Sequence, residues 1–387
     1  MHTEYHRINN SVKLPVNGGI VIFGEVLAHI ATAQSRLQAQ LDQLGIGRQV
    51  VITCESSATH PCLVRFRLDE HHAQKCAPHY DTTQLCTNFQ LDTENSQQDL
   101  LREILLAMLL GPVAFEFPSY DELQAAVRVR LNIVIASRKT AMAFDTAAAE
   151  RPADCWQYHE DTGFTIRPGN SLITSLIKAT QPEATGKLFS FSCYRATEYV
   201  ILLGIAQEMS FSNPTLYHQL TQHWTHKAIM SGAFHDVFLR EYGTVESPLP
   251  SHYYVPGDRL WFRNPDSYSS DVPGYEGSWV FYLGNGLFKN FWKHDQPYTL
   301  TTKCIEIFHW RNATYQDQQG ELHIDENVVA NHVRETLANQ AEMEAILAKM
   351  MRLRDPQGVY AQGGCIDSSR EYPRWVCPDT TDIVLPG

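Results

Sequence analysis

Phe189-Ser190-Phe191-Ser192-Cys193-Tyr194-Arg195-Ala196, continuing through Glu198 and Val200-Ile201-Leu202-Leu203 towards Met209, is the stretch on which the reading of this chain turns. From Ser192 or Cys193 onward it is nearly all apolar, and a helix apolar on most sides is buried at the centre of its domain. A thiol in the first turn of such a helix faces the positive end of the macrodipole and unpaired backbone N–H groups, which favour thiolate over thiol. Arg195 adds positive charge, and the same N–H groups could serve as an oxyanion hole. The alternative is that Cys193 is a small apolar residue of a core helix. Glu276, His294 and Asp295 lie downstream, in the order in which the base and orienting groups of a cysteine triad often occur.

Working outward, Ser119 followed by Glu122 forms a capping box, and Leu123, Ala126, Val127, Arg130, Leu131 and Val134 then fall at helical spacing. Asn170 caps a second helix carrying Leu172, Ile173, Leu176 and Ile177. Beyond the long helix the pattern turns to strands: Arg259–Phe262 after the turn Pro256-Gly257-Asp258, Trp279–Leu283 before Gly284, and Cys304–Phe308. Helices first and strands afterwards make an α+β unit rather than alternating βαβ. Ahead of Gly111-Pro112, an apolar stretch Ile20–Phe23, a helix Ala31–Leu44 and strands Val50–Ile52 and Leu63–Phe66 suggest a small α+β domain. Val329, Val333, Leu337, Ile346, Leu347 and Met350 predict one amphipathic helix over 325–354, and the Pro/Gly/Asp/Ser-rich tail from Asp355 reads as irregular. The division predicted is an N-terminal domain over 1–110, a catalytic domain over 111–320 and a C-terminal helix with tail over 321–387.

Of the 387 residues, 31 are Lys or Arg and 43 Asp or Glu, a balance of −12 that disfavours nucleic acid and anionic membrane as partners. A 43% hydrophobic fraction with 17 Phe, 17 Tyr and 7 Trp excludes global disorder. The longest apolar run, Ile104–Phe115, is broken by Gly111-Pro112 and is too short to span a bilayer. Met1-His2-Thr3-Glu4-Tyr5-His6-Arg7 lacks the basic and apolar regions of a secretory leader. Nine cysteines, an odd number without a CxxC pair, point to a reducing cytoplasm rather than a disulfide framework; Cys365 and Cys377 would bridge only in an oxidising setting.

His71, His72, Cys76, His79 and Cys86, with His60 and Cys62 upstream, offer imidazole and thiolate ligands, but Pro78 interrupts the helix that would align them and the spacing matches no standard zinc template. The reading is a polar loop and no metal. His218, His223 and His226 do not converge on one helical face and read as a solvated surface.

Four blocks together resemble the bacterial, spore-coat-type protein-glutamine gamma-glutamyltransferases, over about Val113 to Arg311. Phe115-Glu116-Phe117-Pro118-Ser119 through Asp121-Glu122-Leu123 to Arg130-Leu131-Asn132-Ile133-Val134 is similar to that family's first helix, and Phe191-Ser192-Cys193 with Ala196 to its nucleophile turn. Pro256-Gly257-Asp258, Trp261-Phe262 and Asn264-Pro265 resemble its central hairpin, and Glu276 to Gly284 the strand after it. The resemblance implies a papain-like core in which Cys193 attacks a glutamine carboxamide and expels ammonia. A lysine amine then resolves the thioester by crosslinking, or water does so by deamidation, without metal or cofactor. It implies glutamine- and lysine-bearing proteins, or another amine acceptor, as partners. Two departures stand out: Ser192 replaces the family's acidic residue before the cysteine, and an ungapped alignment sets Ser278 against its second carboxylate. Glu276, two residues away, and His294, after a short insertion, are the residues assigned to complete the site. The rival readings are a deamidase, amidase or small-molecule amide synthase on the same core, or a non-catalytic assembly protein. Trp261, Phe262, Trp279, Phe281, Tyr282, Phe288, Phe291 and Trp292 surround the strands concerned; most read as core, a few as the walls of a dry acceptor channel.

Overall fold

The computed structural model describes residues 17–56, 60–143, 149–229, 231–355 and 363–386, so the N-terminal heptapeptide and part of the tail fall outside it. Strands β1 (Gly19–Gly24), β2 (Val50–Glu55), β3 (Cys62–Leu68) and β4 (Ala114–Phe117) form a sheet in the order β2-β3-β1-β4, antiparallel except for the parallel β1–β4 pair. Helix α1 (Leu27–Gln43) lies on it through Ile30, Ala33, Leu37 and Leu41, at helical spacing. Short helices α2 (Glu70–Cys76) and α3 (Leu85–Phe89) lead to α4 (Gln97–Leu109), which is buried on nearly every side from Glu103 onward.

The proposed break at 110/111 is a tight backbone crossing. Gly19 N–H donates to the Gly111 carbonyl at 3.1 Å, and a Cβ on Gly18 would stand 1.9 Å from that oxygen. The parallel pairing of Ile20 with Phe115 spans it, and one apolar core runs from Ile20 through Leu203 to Val376 and Ile383.

Helix α5 (Tyr120–Lys139) begins as predicted, with Ser119 Oγ accepting from Glu122 N–H at 3.0 Å. The Glu122 side chain does not return to Ser119. Its carboxylate accepts from Val376 N–H at 2.8 Å, Cys377 N–H at 3.0 Å and Thr380 Oγ1–H at 2.5 Å, tying the tail to the start of α5. The hairpin β5 (Trp156–His159) and β6 (Gly163–Ile166) precedes α6 (Leu172–Thr180), capped by Ser171 rather than Asn170. Helix α7 (Cys193–Ser212) is central, packed by α5, α6 and α8 (Pro214–His226). At Gly204 a Cβ would lie 2.7 Å from Ile133 Cγ1, so only glycine lets α5 and α7 approach so closely.

After α9 (Ser231–Phe238), strands β7 (Leu239–Tyr242), β8 (Arg259–Arg263), β9 (Gly277–Gly284), β10 (Leu287–Phe288) and β11 (Tyr298–Thr299) enter a second, antiparallel sheet, with the four-residue α10 (Ser267–Ser270) between β8 and β9. Helix α11 (Leu300–Ala313) contains the segment Cys304–Phe308 that was expected to be a strand. Thr299 and Thr302 form a reciprocal capping box, and Leu300, Lys303, Cys304, Ile307 and Trp310 are buried at helical spacing, so helix prevails over the local alternation. A small hairpin, β12 (Thr314–Gln316) and β13 (Leu322–Ile324), follows. The single helix expected over 325–354 is two, α12 (Glu326–Ala338) and α13 (Gln340–Met350), because Asn339 leaves helical geometry and caps the second. The tail is not irregular throughout: β14 (Arg370–Pro373) completes the order β11-β10-β9-β8-β14-β7. None of the described helices is long and apolar enough to cross a membrane.

Candidate active site

Cys193 is the first residue of α7, and Ser192 is its N-cap, the hydroxyl oxygen accepting from Arg195 N–H at 3.3 Å. The approach to this turn is fixed by Ala143, which exchanges backbone hydrogen bonds with Phe189 and Phe191 at 3.1 and 3.3 Å. The Arg151 guanidinium lies 3.4 Å from the Phe191 ring centroid and donates to the Ser190 carbonyl at 3.0 Å. The backbone N–H groups of Trp279, on β9, and Tyr194 face the sulfur and favour its anion, as does Lys303; Glu276 opposes it. Burial outweighs these effects and raises the thiol pKa. The positive charge beside the cysteine is not that of Arg195, which donates to Glu198 at 2.5 Å and to the Ile229 carbonyl. Glu198 is fully buried, and its carboxyl pKa is pushed up to about 7.

The sulfur opens on a cavity of about 70 Å³ between β9, the segment after β10, α11 and α12. Of the aromatic residues around these strands, Trp279, Phe291 and Trp292 line it, whereas Phe262, Phe281, Tyr282 and Phe288 are buried core. Arg259 lies between two aromatic faces, 4.4 Å from the Tyr194 centroid and 4.2 Å from that of Trp279, with Trp261 stacked on Trp279 at 6.0 Å. This stack holds the strand whose N–H meets the sulfur. The far wall is polar: Lys303 pairs with Glu306 at 3.1 Å, Tyr298 O–H donates to Glu306 at 3.0 Å, and Tyr275 O–H donates to Glu326 at 2.6 Å. Burial lowers the Lys289 pKa to about 8.

Ser278 lines the cavity; Glu276 and His294 do not, although each adjoins residues that do. Glu276 is exposed just ahead of β9. His294 is half-buried, its Nδ1 2.7 Å from Asp295 Oδ1 and its Nε2 without a hydrogen-bond partner among the described residues. Neither makes a direct hydrogen bond to Cys193. The other groups in range by sequence are engaged elsewhere: Asp258 with Arg130 at 2.7 Å, His309 with Thr336 at 2.8 Å, and His252 beside Met351 Sδ at 3.2 Å. Lys303 and Glu306 escape the sequence reading because it takes Cys304–Phe308 for a strand, whereas Tyr298 on β11 and Glu326 on α12 carry no local signal that would bring them to this cavity. The Thr299-to-Thr302 cap was the available signal.

The histidine–cysteine cluster does not assemble. Helix α2 ends at Cys76, His79 sits beyond it at φ 56°, and the Cys76 and Cys86 thiols are buried. Asp69, His71 and His72 do lie together, with ligand atoms within 4.8 Å of one another. His218 and His226 are exposed and His223 is half-buried on α8, as a solvated face requires.

A cysteine starting a buried helix, with two backbone N–H groups at its sulfur and a small cavity before it, is an arrangement suited to thiol acyl transfer. The family description of protein-glutamine gamma-glutamyltransferases matches residues 80–384, and the chain belongs to that family of transferases. A protein-glutamine gamma-glutamyltransferase of Halalkalibacterium halodurans is 23% identical over 207 residues, covering 52% of this chain and 66% of the relative. The chain thus spans about two-thirds of that relative's length. The solved transglutaminase of Geobacillus stearothermophilus, without its C-terminal extension, is 19% identical, with 56% of this chain and 98% of that one covered at a TM-score of 0.39.

Proposed function

We propose that this chain transfers the γ-glutamyl group of protein-bound glutamine through a thioester on Cys193, within a papain-like core that the N-terminal α+β segment extends. The supporting observation is the placement of the sulfur at the start of α7, facing the N–H groups of Tyr194 and Trp279. The thiolate adds to the carboxamide carbon, and the N–H groups take up charge as it moves from sulfur to oxygen. The intermediate collapses to the thioester as the C–N bond breaks, and the nitrogen leaves as ammonia with the proton that the thiol gave up, relayed through water by His294. A lysine amine or water then adds to the thioester carbon, loses a proton and releases Cys193, giving crosslink or deamidated product. Partners are glutamine-bearing proteins and an amine acceptor, and the nucleophile suits a reducing compartment such as the cytoplasm.

In this reading Glu276 and His294 act from the rim across one water, His294 oriented by Asp295. The absence of an imidazole among the described residues lining the cavity favours the rival reading of a non-catalytic assembly protein. One experiment decides. Ammonia release from a glutamine-rich protein in the presence of a primary amine should be measurable for the full chain and absent for Cys193→Ala with an unchanged circular dichroism spectrum. Release undiminished in that variant refutes the assignment of the nucleophile, and none in the parent supports the assembly reading.

A further inference from the structure

The charged side chains facing the sulfur or lining its cavity are Glu276 ahead of β9, Lys289 and Lys293 after β10, Lys303 and Glu306 on α11, and Glu326 on α12. Glu276 and Lys293 are exposed, so water screens them. Lys289 directs its Nζ to the Arg138 carbonyl at 3.5 Å, and Glu326 is held by Tyr275. Lys303 is as buried as Lys289, each 2% exposed, but it alone of the two has a carboxylate partner, its ammonium 3.1 Å from Glu306, 4.1 Å from the Tyr298 ring centroid and 5.6 Å from that of Trp310, and it alone of the two acts on the Cys193 sulfur. An ammonium has three N–H donors, and Glu306 takes one. The aromatic faces hold the head in place by cation–π attraction, and Glu306 is itself positioned by Tyr298.

We propose that the Lys303 ammonium is the fixed counter-charge of the Cys193 thiolate, the part that an imidazolium plays in other thiol enzymes. Lys303 thereby acts on the reacting sulfur through its field, while Glu306, Tyr298 and Trp310 are positioning residues. The sign agrees with the electrostatics at the sulfur, where Lys303 favours the anion against burial and Glu276. Burial around the sulfur leaves such a field poorly screened.

The inference rests on Cys193 being the nucleophile, but its test needs neither substrate nor turnover. The rate of iodoacetamide alkylation at Cys193, read by peptide mass spectrometry on the full chain, should rise with pH through a midpoint. Lys303→Met should move that midpoint upward by about one pH unit or more, slowing alkylation about tenfold at a fixed pH below it. Lys303→Arg, which keeps the charge, should restore it. If Lys303→Met fails to fold, Lys303→Gln, neutral but able to hydrogen-bond Glu306, takes its place. A midpoint within 0.3 unit (about twofold in rate) of the parent in a folded neutral variant overturns the proposal. Should that happen while Cys193→Ala still abolishes ammonia release, the counter-charge fails and the transferase reading stands. A shifted midpoint without ammonia release in the parent fails the transferase reading alone.

Discussion

Replacing Arg130 with Met should loosen the frame that holds β9 against α7. Arg130 on α5 is 2% exposed and Asp258, in the turn before β8, is wholly buried; they meet at 2.7 Å. The other Asp258 oxygen accepts from Val255 N–H at 2.8 Å and from Tyr242 O–H. Removing one partner of a buried ion pair costs about 3–5 kcal/mol, because the remaining charge keeps its desolvation penalty without its compensation. The two remaining hydrogen bonds to Asp258 place the cost near the lower end, about 3 kcal/mol. With an m-value of about 3 kcal/mol/M, the urea midpoint followed by tryptophan fluorescence should fall by about 1 M. Asp258→Asn added to Arg130→Met should cost less than the sum of the single changes by more than about 1.5 kcal/mol. A stability loss for Arg130→Met below about 1 kcal/mol, or strict additivity in the double variant, would refute the argument that this pair is the tie.

A chain starting at Gly111 should aggregate where the full chain stays dispersed in sedimentation, because it loses the strand paired with β4 and uncovers the shared core. Mild oxidation with diamide should join Cys304 to Cys365, whose sulfurs stand 3.4 Å apart, and not Cys365 to Cys377, as peptide mapping without reduction would reveal. Glu198 titrates near pH 7 in the folded state against about 4.5 when unfolded, so the folded state binds the extra proton between these values and stability falls as pH rises through that window. In urea unfolding at several pH values, Glu198→Gln should flatten the decline.

The central helix was legible because its whole circumference is apolar and its first residues carry both a cap and a thiol, signals local to 192–209. The start of α5 was legible for the same reason. The strand reading of 304–308 failed because Cys304-Ile305-Glu306-Ile307-Phe308 alternates over too short a window, and only the flanking Thr299, Lys303 and Trp310 reveal the longer period. The tail strand was hidden by composition: Arg370-Glu371-Tyr372-Pro373 has no β-branched residue and owes its conformation to partners more than a hundred residues away. Lys303 sits on a buried helix face where a lysine reads as solvent-facing, and its compensation by Glu306 and two rings exists only in three dimensions. Side-chain placement at the rim is likewise set by the chain's path between Asn285 and Pro297, which no periodicity encodes.

The insertion of β14 between β7 and β8 dictates when this protein can become itself. Arg370 pairs with Tyr242 and Glu371 with Arg259, so the middle of the second sheet waits on residues made more than a hundred positions later. On the ribosome β7 and β8 are finished long before their intervening neighbour has been translated, and until then both present unpaired edges. Closure over such a separation is slow compared with helix formation. The helices around α7 and the β8–β9–β10 ladder can settle during synthesis, but β7 joins that sheet only after the chain has passed residue 373, so the order β11-β10-β9-β8-β14-β7 is completed by the last strand to be made.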